Sequence, residues 1–261
     1  MRVRFKNSYD DDINLFEGRW HLLQYGMLLA LALAAPFLLG SYYLGELTSV
    51  LIWSLAGLGL MLIAGHTGQV SLGHAAFMAI GAFANLALMA RGWHFLPALL
   101  ASAVIAGIIG AIIARPILRM SGIYLAIATL ALSIIIEDIA IIAEPITGGV
   151  AGVFAPPIEF FSLQIDRYAT PEAFYYLCLA VLVLVTLLYA NLLRSPTGRS
   201  FLAVRDSEVS ARALGVNVAR TKTLAFSLSC AITGLAGALY AHLVQAVNYE
   251  SFLVLISITL L

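Results

Sequence analysis

Seven predominantly apolar stretches, each 18 to 22 residues long, dominate the chain and leave few folds open to it. They occupy 22–39, 47–64, 71–90, 96–114, 123–143, 175–193 and 223–244, and an eighth opens at Ser251. A helix needs about 20 mostly apolar residues to cross the hydrocarbon core of a bilayer. Runs of this length, repeated this often, predict an all-α, polytopic membrane helix bundle with about eight transmembrane segments. Composition agrees. Of 261 residues, 62% are hydrophobic and 11% charged, against about 45–50% and about 25% in soluble domains. A soluble fold lacks the interior to hide that much apolar side chain. The eighth run reaches the chain end after eleven residues, too few for a crossing, so the C-terminus is expected to be truncated.

Basic residues test the span assignment, because lysine and arginine collect in cytoplasmic loops. With the N-terminus cytoplasmic, one side holds Arg2, Arg4, Lys6, Arg19, Arg115, Arg119, Arg194, Arg199, Arg205, Arg212, Arg220 and Lys222. The other side holds only Arg91 and Arg167. A miscounted helix would scatter them. The predicted organisation is a cytoplasmic N-terminal segment over 1–21 and a membrane domain over 22–261. Within that domain, 144–174 forms an outer loop and 194–222 an inner, basic one.

Several functions are disfavoured. Zero formal net charge without a basic stripe argues against nucleic-acid binding. Cys178 and Cys230 lie inside apolar runs, where free cysteine behaves as a small packing residue. The polar start, with Asp10, Asp11 and Asp12, does not resemble a signal peptide. No Gly-Lys pair exists to build a phosphate-cradling loop, and no zinc-protease or Gly-x-Ser-x-Gly motif is present. The chain therefore reads as a non-enzyme that binds no cofactor or metal; if ATP drives it, a separate polypeptide hydrolyses it.

Four features stand out from the apolar background. Small residues spaced four apart allow close approach between membrane helices. They occur at Ser102, Ala106, Gly110 and Ala114, and at Cys230, Gly234 and Ala238, continuing to His242. Either line suits contact within the bundle or with a second subunit. The stretch 65–74 carries Gly65, Gly68, Gln69, Ser71, Gly73 and His74 between two slightly short apolar segments. Irregular backbone at membrane depth is tolerated only when covered by protein or facing water, and broken helices often line solute routes. An ordinary cytoplasmic turn with glycine caps fits the same residues. Glu137 and Asp138 lie within the fifth run; a carboxylate there faces a pathway or partner, or sits near the interface in water. In the inner loop, Ser207 can cap a short helix carrying Val209, Ala213 and Leu214 on one side, stopped by Gly215.

The run Gly68-Gln69-Val70-Ser71-Leu72-Gly73-His74-Ala75-Ala76-Phe77 resembles a signature of the branched-chain amino-acid ABC transporter permeases. So do Gly122-Ile123-Tyr124-Leu125-Ala126-Ile127-Ala128-Thr129-Leu130 and the turn Thr147-Gly148-Gly149. Arg205-Asp206-Ser207-Glu208, Ala213-Leu214-Gly215-Val216-Asn217 and Leu235-Ala236-Gly237-Ala238-Leu239-Tyr240-Ala241 follow in the family's order. The resemblance implies a multi-pass subunit of a bacterial inner membrane. Its implied partners are a second permease, two cytoplasmic ATPase subunits that use ATP, and an extracytoplasmic solute-binding protein. It places Arg205, Asp206, Glu208, Ser210, Ala211 and Gly215 in the segment that docks on the ATPase. The family's Glu-Ala-Ala core reads Glu208-Val209-Ser210-Ala211 here, a relaxed version. The implied translocation path takes in Gly68, Gln69, Ser71, Gly73, His74, Glu137, Thr147, Gly148 and Gly149. Urea and short amides are carried within the same family. An ion-coupled carrier titrating at Glu137 or Asp138, and a non-transporting membrane subunit, are the other readings.

Overall fold

A single long helix organises the structure, a computed structural model that describes residues 19–117, 120, 122–160 and 163–260. Arg2, Arg4, Lys6, Asp10, Asp11, Asp12, Arg119 and nearly all of the predicted 1–21 segment lie outside the described residues. In chain order the helices are α1 (Arg19–Leu38), α2 (Ser41–Thr67), α3 (His74–Ala90), α4 (Phe95–Ile117) and α5 (Ile123–Ile142). They continue with α6 (Glu144–Thr147), α7 (Pro171–Arg194), α8 (Pro196–Asp206), α9 (Glu208–Ala213), α10 (Val218–Val244) and α11 (Val254–Leu260). Among the described residues, α2, α4, α5, α7 and α10 are long and apolar enough to cross a membrane, whereas the apolar parts of α1 and α3 are shorter.

Helix α10 is the core, packed on by α2, α3 and α4. Its small residues make this possible. Gly234 faces Ala106 of α4 and the backbone of Gly81 of α3, while Gly110 of α4 lies against Cys230. The two predicted small-residue lines thus meet each other inside the chain. Dispersion between closely spaced backbones replaces the hydrophobic drive that lipid removes. Phe77 and Phe226 add an edge-to-face ring pair, with centroids 5.6 Å apart, at the same contact.

Helix α1 is tied more loosely, through α7. Pro36 lies inside α1 and has no N–H to offer the carbonyl of Ala32, four residues back. The Tyr175 hydroxyl of α7 donates to that carbonyl at 2.8 Å. Tyr176 donates to the next carbonyl, of Leu33, at 2.9 Å. The outer faces of α1, α5 and α7 stay apolar and exposed, as Met27, Ile142 and Leu188 illustrate.

Short strands appear beside the helices. The predicted outer loop folds into α6, β1 (Val153–Phe154), β2 (Ile158–Phe160) and β3 (Leu163–Ile165). Strands β2 and β3 form an antiparallel hairpin, and β1 pairs with β4 (Ala246–Val247) directly after α10. Arg167 reinforces this clamp by donating to the Leu243 carbonyl at 3.0 Å, placing a cation at the C-terminus of α10. Gln245, the residue that caps that terminus, donates to the Asp166 carboxylate.

Two segments differ from the sequence reading. The predicted inner loop holds two helices rather than one, and α10 begins at Val218 rather than at 223. Ser195 followed by Pro196 is an N-cap and first-turn proline, and the Ser195 side chain accepts from the Gly198 N–H. Asn217 caps α10, accepting from the Arg220 N–H at 3.0 Å. The second difference is the break near 65–74. Helix α2 runs through Gly65 and His66 to Thr67, so the irregular part shrinks to 68–73.

Candidate functional site

The break between α2 and α3 is built from the sequence outward. Gly68 ends α2 in the left-handed region, at φ 67°, where a side chain would be strained. The amides of Gly68 and Gln69 both turn back onto the Ile63 carbonyl, the closing pattern of a glycine-capped helix. The chain then passes close beneath α5: a Cβ on Gly73 would stand 2.7 Å from the Thr129 carbonyl oxygen. The Leu72 N–H donates to the Thr129 hydroxyl at 3.0 Å. Gln69, Ser71 and His74 are all buried, so this is not a solvated turn.

His74 is the best-defined polar group of the break. Its Nε2 lies 2.8 Å from the Ser229 hydroxyl of α10, and that hydroxyl donates to the Gly59 carbonyl of α2 at 2.5 Å. A serine has one proton to give. With that proton on Gly59, Nε2 must be the donor to Ser229, which leaves Nδ1 as an acceptor. Among the described residues Nδ1 has no donor, and the buried Gln69 Oε1 and Ser133 Oγ are likewise unmatched. Gln69 uses its amide nitrogen on the Thr67 hydroxyl, at 2.8 Å. Among the described residues these three buried polar atoms lack hydrogen-bond partners, whereas buried polar groups are ordinarily satisfied.

The basic helices α8 and α9 approach this break from the bundle end. Arg205, in the last turn of α8, donates to the Gly65 carbonyl at 2.9 Å, and its stem packs against Gly68. A guanidinium on the final carbonyls of α2 also suits that helix's dipole. The same guanidinium pairs with Asp206 at 3.3 Å. Helix α9 is capped by Ser207, whose hydroxyl accepts from the Ser210 N–H at 3.2 Å. Ala211 is buried with Val204 and Val218. Gly215 follows α9 at φ 84°. Lys222, in the second turn of α10, reaches Glu208 of α9 at 2.5 Å. Val209 and Leu214 remain 80% and 82% exposed, leaving an apolar patch on a charged end.

The remaining predicted residues lie elsewhere. The Thr147 hydroxyl, with one proton to give, lies 2.6 and 2.9 Å from the carbonyl oxygens of Ala140 and Ala143, and Gly148 and Gly149 turn with φ 70° and 58° into the outer segment. From Thr129 to Ala140 is a rise of about 16 Å along α5, so the turn and the break occupy opposite halves of the bundle. Glu137 is half-buried between them, whereas Asp138 is exposed. The structure therefore joins 68–74 to Arg205 and leaves 147–149 apart. Sequence reasoning missed Ser229, Ser133, Lys222 and Arg167. Ser229 and Ser133 lie within apolar runs and Lys222 beside one, which was their one available signal; Arg167 lies in the predicted outer loop, as one of only two basic residues assigned to that side.

No metal-binding group of three or more His, Cys, Asp or Glu side chains occurs among the described residues. A family model described as "Branched-chain amino acid transport system / permease component" matches residues 42–261. The high-affinity branched-chain amino acid transport system permease protein LivM of Escherichia coli K12 is 34% identical over 248 residues, covering 86% of this chain and 58% of that protein. LivM of Salmonella typhimurium is 33% identical, with the same coverage. A probable branched-chain amino acid transport permease protein LivH of Methanocaldococcus jannaschii is 25% identical over 78% of this chain and 67% of that protein. The chain thus spans less than two thirds of the length of the LivM proteins it matches. No solved structure matches.

Proposed function

Since this chain belongs to the family of branched-chain amino acid transport system permease components, we propose that it is a permease subunit of an ATP-driven importer for branched-chain amino acids. It pairs with a second permease in a bacterial inner membrane, with about eight crossings and a cytoplasmic N-terminus. A binding protein delivers solute on the outer side, and two ATPase subunits hydrolyse ATP on the basic side. The chain itself holds no cofactor.

The observation that carries this reading is the double attachment of the α8–α9 unit. Arg205 ties it to the end of α2 beside the break, and Glu208 ties it to α10 through Lys222. Helix α10 in turn holds His74 through Ser229. Displacing α8–α9 therefore moves both walls of the broken segment together. A ligand shifts an equilibrium between two conformations only by binding them differently. An ATPase that grips the exposed Val209 and Leu214 patch in one state supplies that difference.

Co-purification of the tagged permease from native membranes tests this, comparing wild type with a Glu208→Lys, Gly215→Asp double variant. ATPase subunits are expected with the wild type and absent from the variant. Uptake of labelled leucine that follows ion gradients and persists when ATP hydrolysis is blocked would overturn the reading in favour of a carrier. Uptake of urea in place of leucine would keep the mechanism and change the solute.

A further inference from the structure

A groove of about 610 Å³ opens on the outer surface at the basic end, between the last turns of α4 and the first turns of α10. Arg115 and Arg220 line it, together with Asn217, Thr223 and Leu224. Ser227, also in its lining, donates to the Gly107 carbonyl of α4 at 2.8 Å. Both arginines are exposed, and among the described residues neither is paired with a carboxylate. The polar neighbours are already engaged. Thr223 donates to the Ala219 carbonyl, and the Asn217 side chain accepts from the Arg220 N–H. What the groove offers a ligand is positive charge.

An apolar track runs up to that charge. Val104, Ile108 and Ile112 are 58%, 54% and 62% exposed and repeat every fourth residue, so they form one stripe on α4. Three residues beyond Ile112, the stripe ends at Arg115. Two guanidiniums that pair with no carboxylate among the described residues, at the end of an apolar track on a membrane helix, match one ligand chemistry. Guanidinium binds phosphate through paired N–H donors, and basic pockets between membrane helices hold anionic lipid headgroups. We propose that this groove binds the headgroup phosphodiester of an anionic phospholipid, with an acyl chain along Val104, Ile108 and Ile112. A free phosphate would make no use of the stripe. The site does not depend on the transport reading.

Native mass spectrometry of the purified full-length chain tests this, with phosphatidylglycerol and phosphatidylcholine of identical acyl chains offered together. Wild type is expected to retain phosphatidylglycerol preferentially. Arg115→Gln with Arg220→Gln is expected to lose that retention by about tenfold or more, whereas Arg91→Gln at the opposite end leaves it unchanged. Ala111→Trp fills the groove while keeping both arginines, and is expected to expel the lipid equally. Equal retention by the double variant or by Ala111→Trp would overturn the proposal. So would equal binding of the two lipids, or displacement by millimolar inorganic phosphate, which would show a free-anion site. Disulfide trapping of Arg115→Cys to a second membrane subunit in native membranes would show a protein interface there, and would also overturn it.

Discussion

Lys222 of α10 and Glu208 of α9 meet at 2.5 Å, the lysine side chain 10% exposed and the carboxylate side chain 42%. This pair joins the basic surface helices to the helix at the centre of the bundle. Its environment is intermediate, between an exposed ion pair worth about 0.2–1 kcal/mol and a buried one whose disruption costs about 3–5 kcal/mol. The Lys222 side is the more sensitive, because its ammonium has little water to fall back on. Lys222→Glu is expected to lower thermal stability in detergent and to reduce leucine uptake about tenfold or more, while Glu208→Lys affects uptake more than stability. Combining the two exchanges should recover most of both. Failure of the double exchange to recover either property would mean the pair is incidental.

The approach of α3 to α10 makes a second test. A Cβ at Gly81 would overlap the backbone of Gly234, whereas one at Gly57 meets nothing within 4 Å. Gly81→Ala is therefore expected to destabilise by at least the about 1–3 kcal/mol typical of overpacking. Gly57→Ala should be neutral or stabilising by up to about 1 kcal/mol, from helix propensity. Melting curves followed by size-exclusion fluorescence discriminate the two, and similar midpoints for both variants would contradict the packing described.

Pro36 and Tyr175 predict a measurable coupling. Tyr175→Phe leaves the Ala32 carbonyl without its donor and should cost about 0.5–1.5 kcal/mol. In a Pro36→Ala background the helix supplies its own N–H, so the same change should be nearly neutral. A double-mutant cycle with no interaction energy would exclude this pairing.

Ser229 tests the interior of the break. Ser229→Ala removes the partner of both His74 and the Gly59 carbonyl. Interhelical hydrogen bonds in membranes average only about 0.6 kcal/mol, so a modest loss of stability is expected. Leucine uptake should fall further than stability does. Ser229→Thr, which keeps the hydroxyl, should preserve most activity. A stability loss with uptake intact would make Ser229 purely structural.

The helices were legible because lipid imposes a length and a polarity that a single sequence must display in full. The runs at 96–114 and 123–143 correspond to α4 and α5 with ends shifted by only a few residues. The Ser207 cap and the Gly215 stop were legible for a local reason, since each acts within its own turn. Helix α8 was overlooked although Ser195-Pro196 announces its start, because the surrounding charge reads as solvated loop. The short β1–β4 pairing could not be foreseen, as its partners are more than 90 residues apart and each is two residues long.

Sequence by itself determined that the chain is a bundle of apolar helices, and that the glycine-rich stretch 65–74 interrupts them. These are consequences of local composition, which each segment carries wherever it sits. Only the tertiary structure decided what the polar residues touch: Arg205 on Gly65, Glu208 on Lys222, His74 on Ser229, and the small-residue lines of α4 and α10 on each other. Those contacts depend on which helix faces pack together. In lipid that choice is made by close fit and a few hydrogen bonds, and neither can be read from one strand of residues alone.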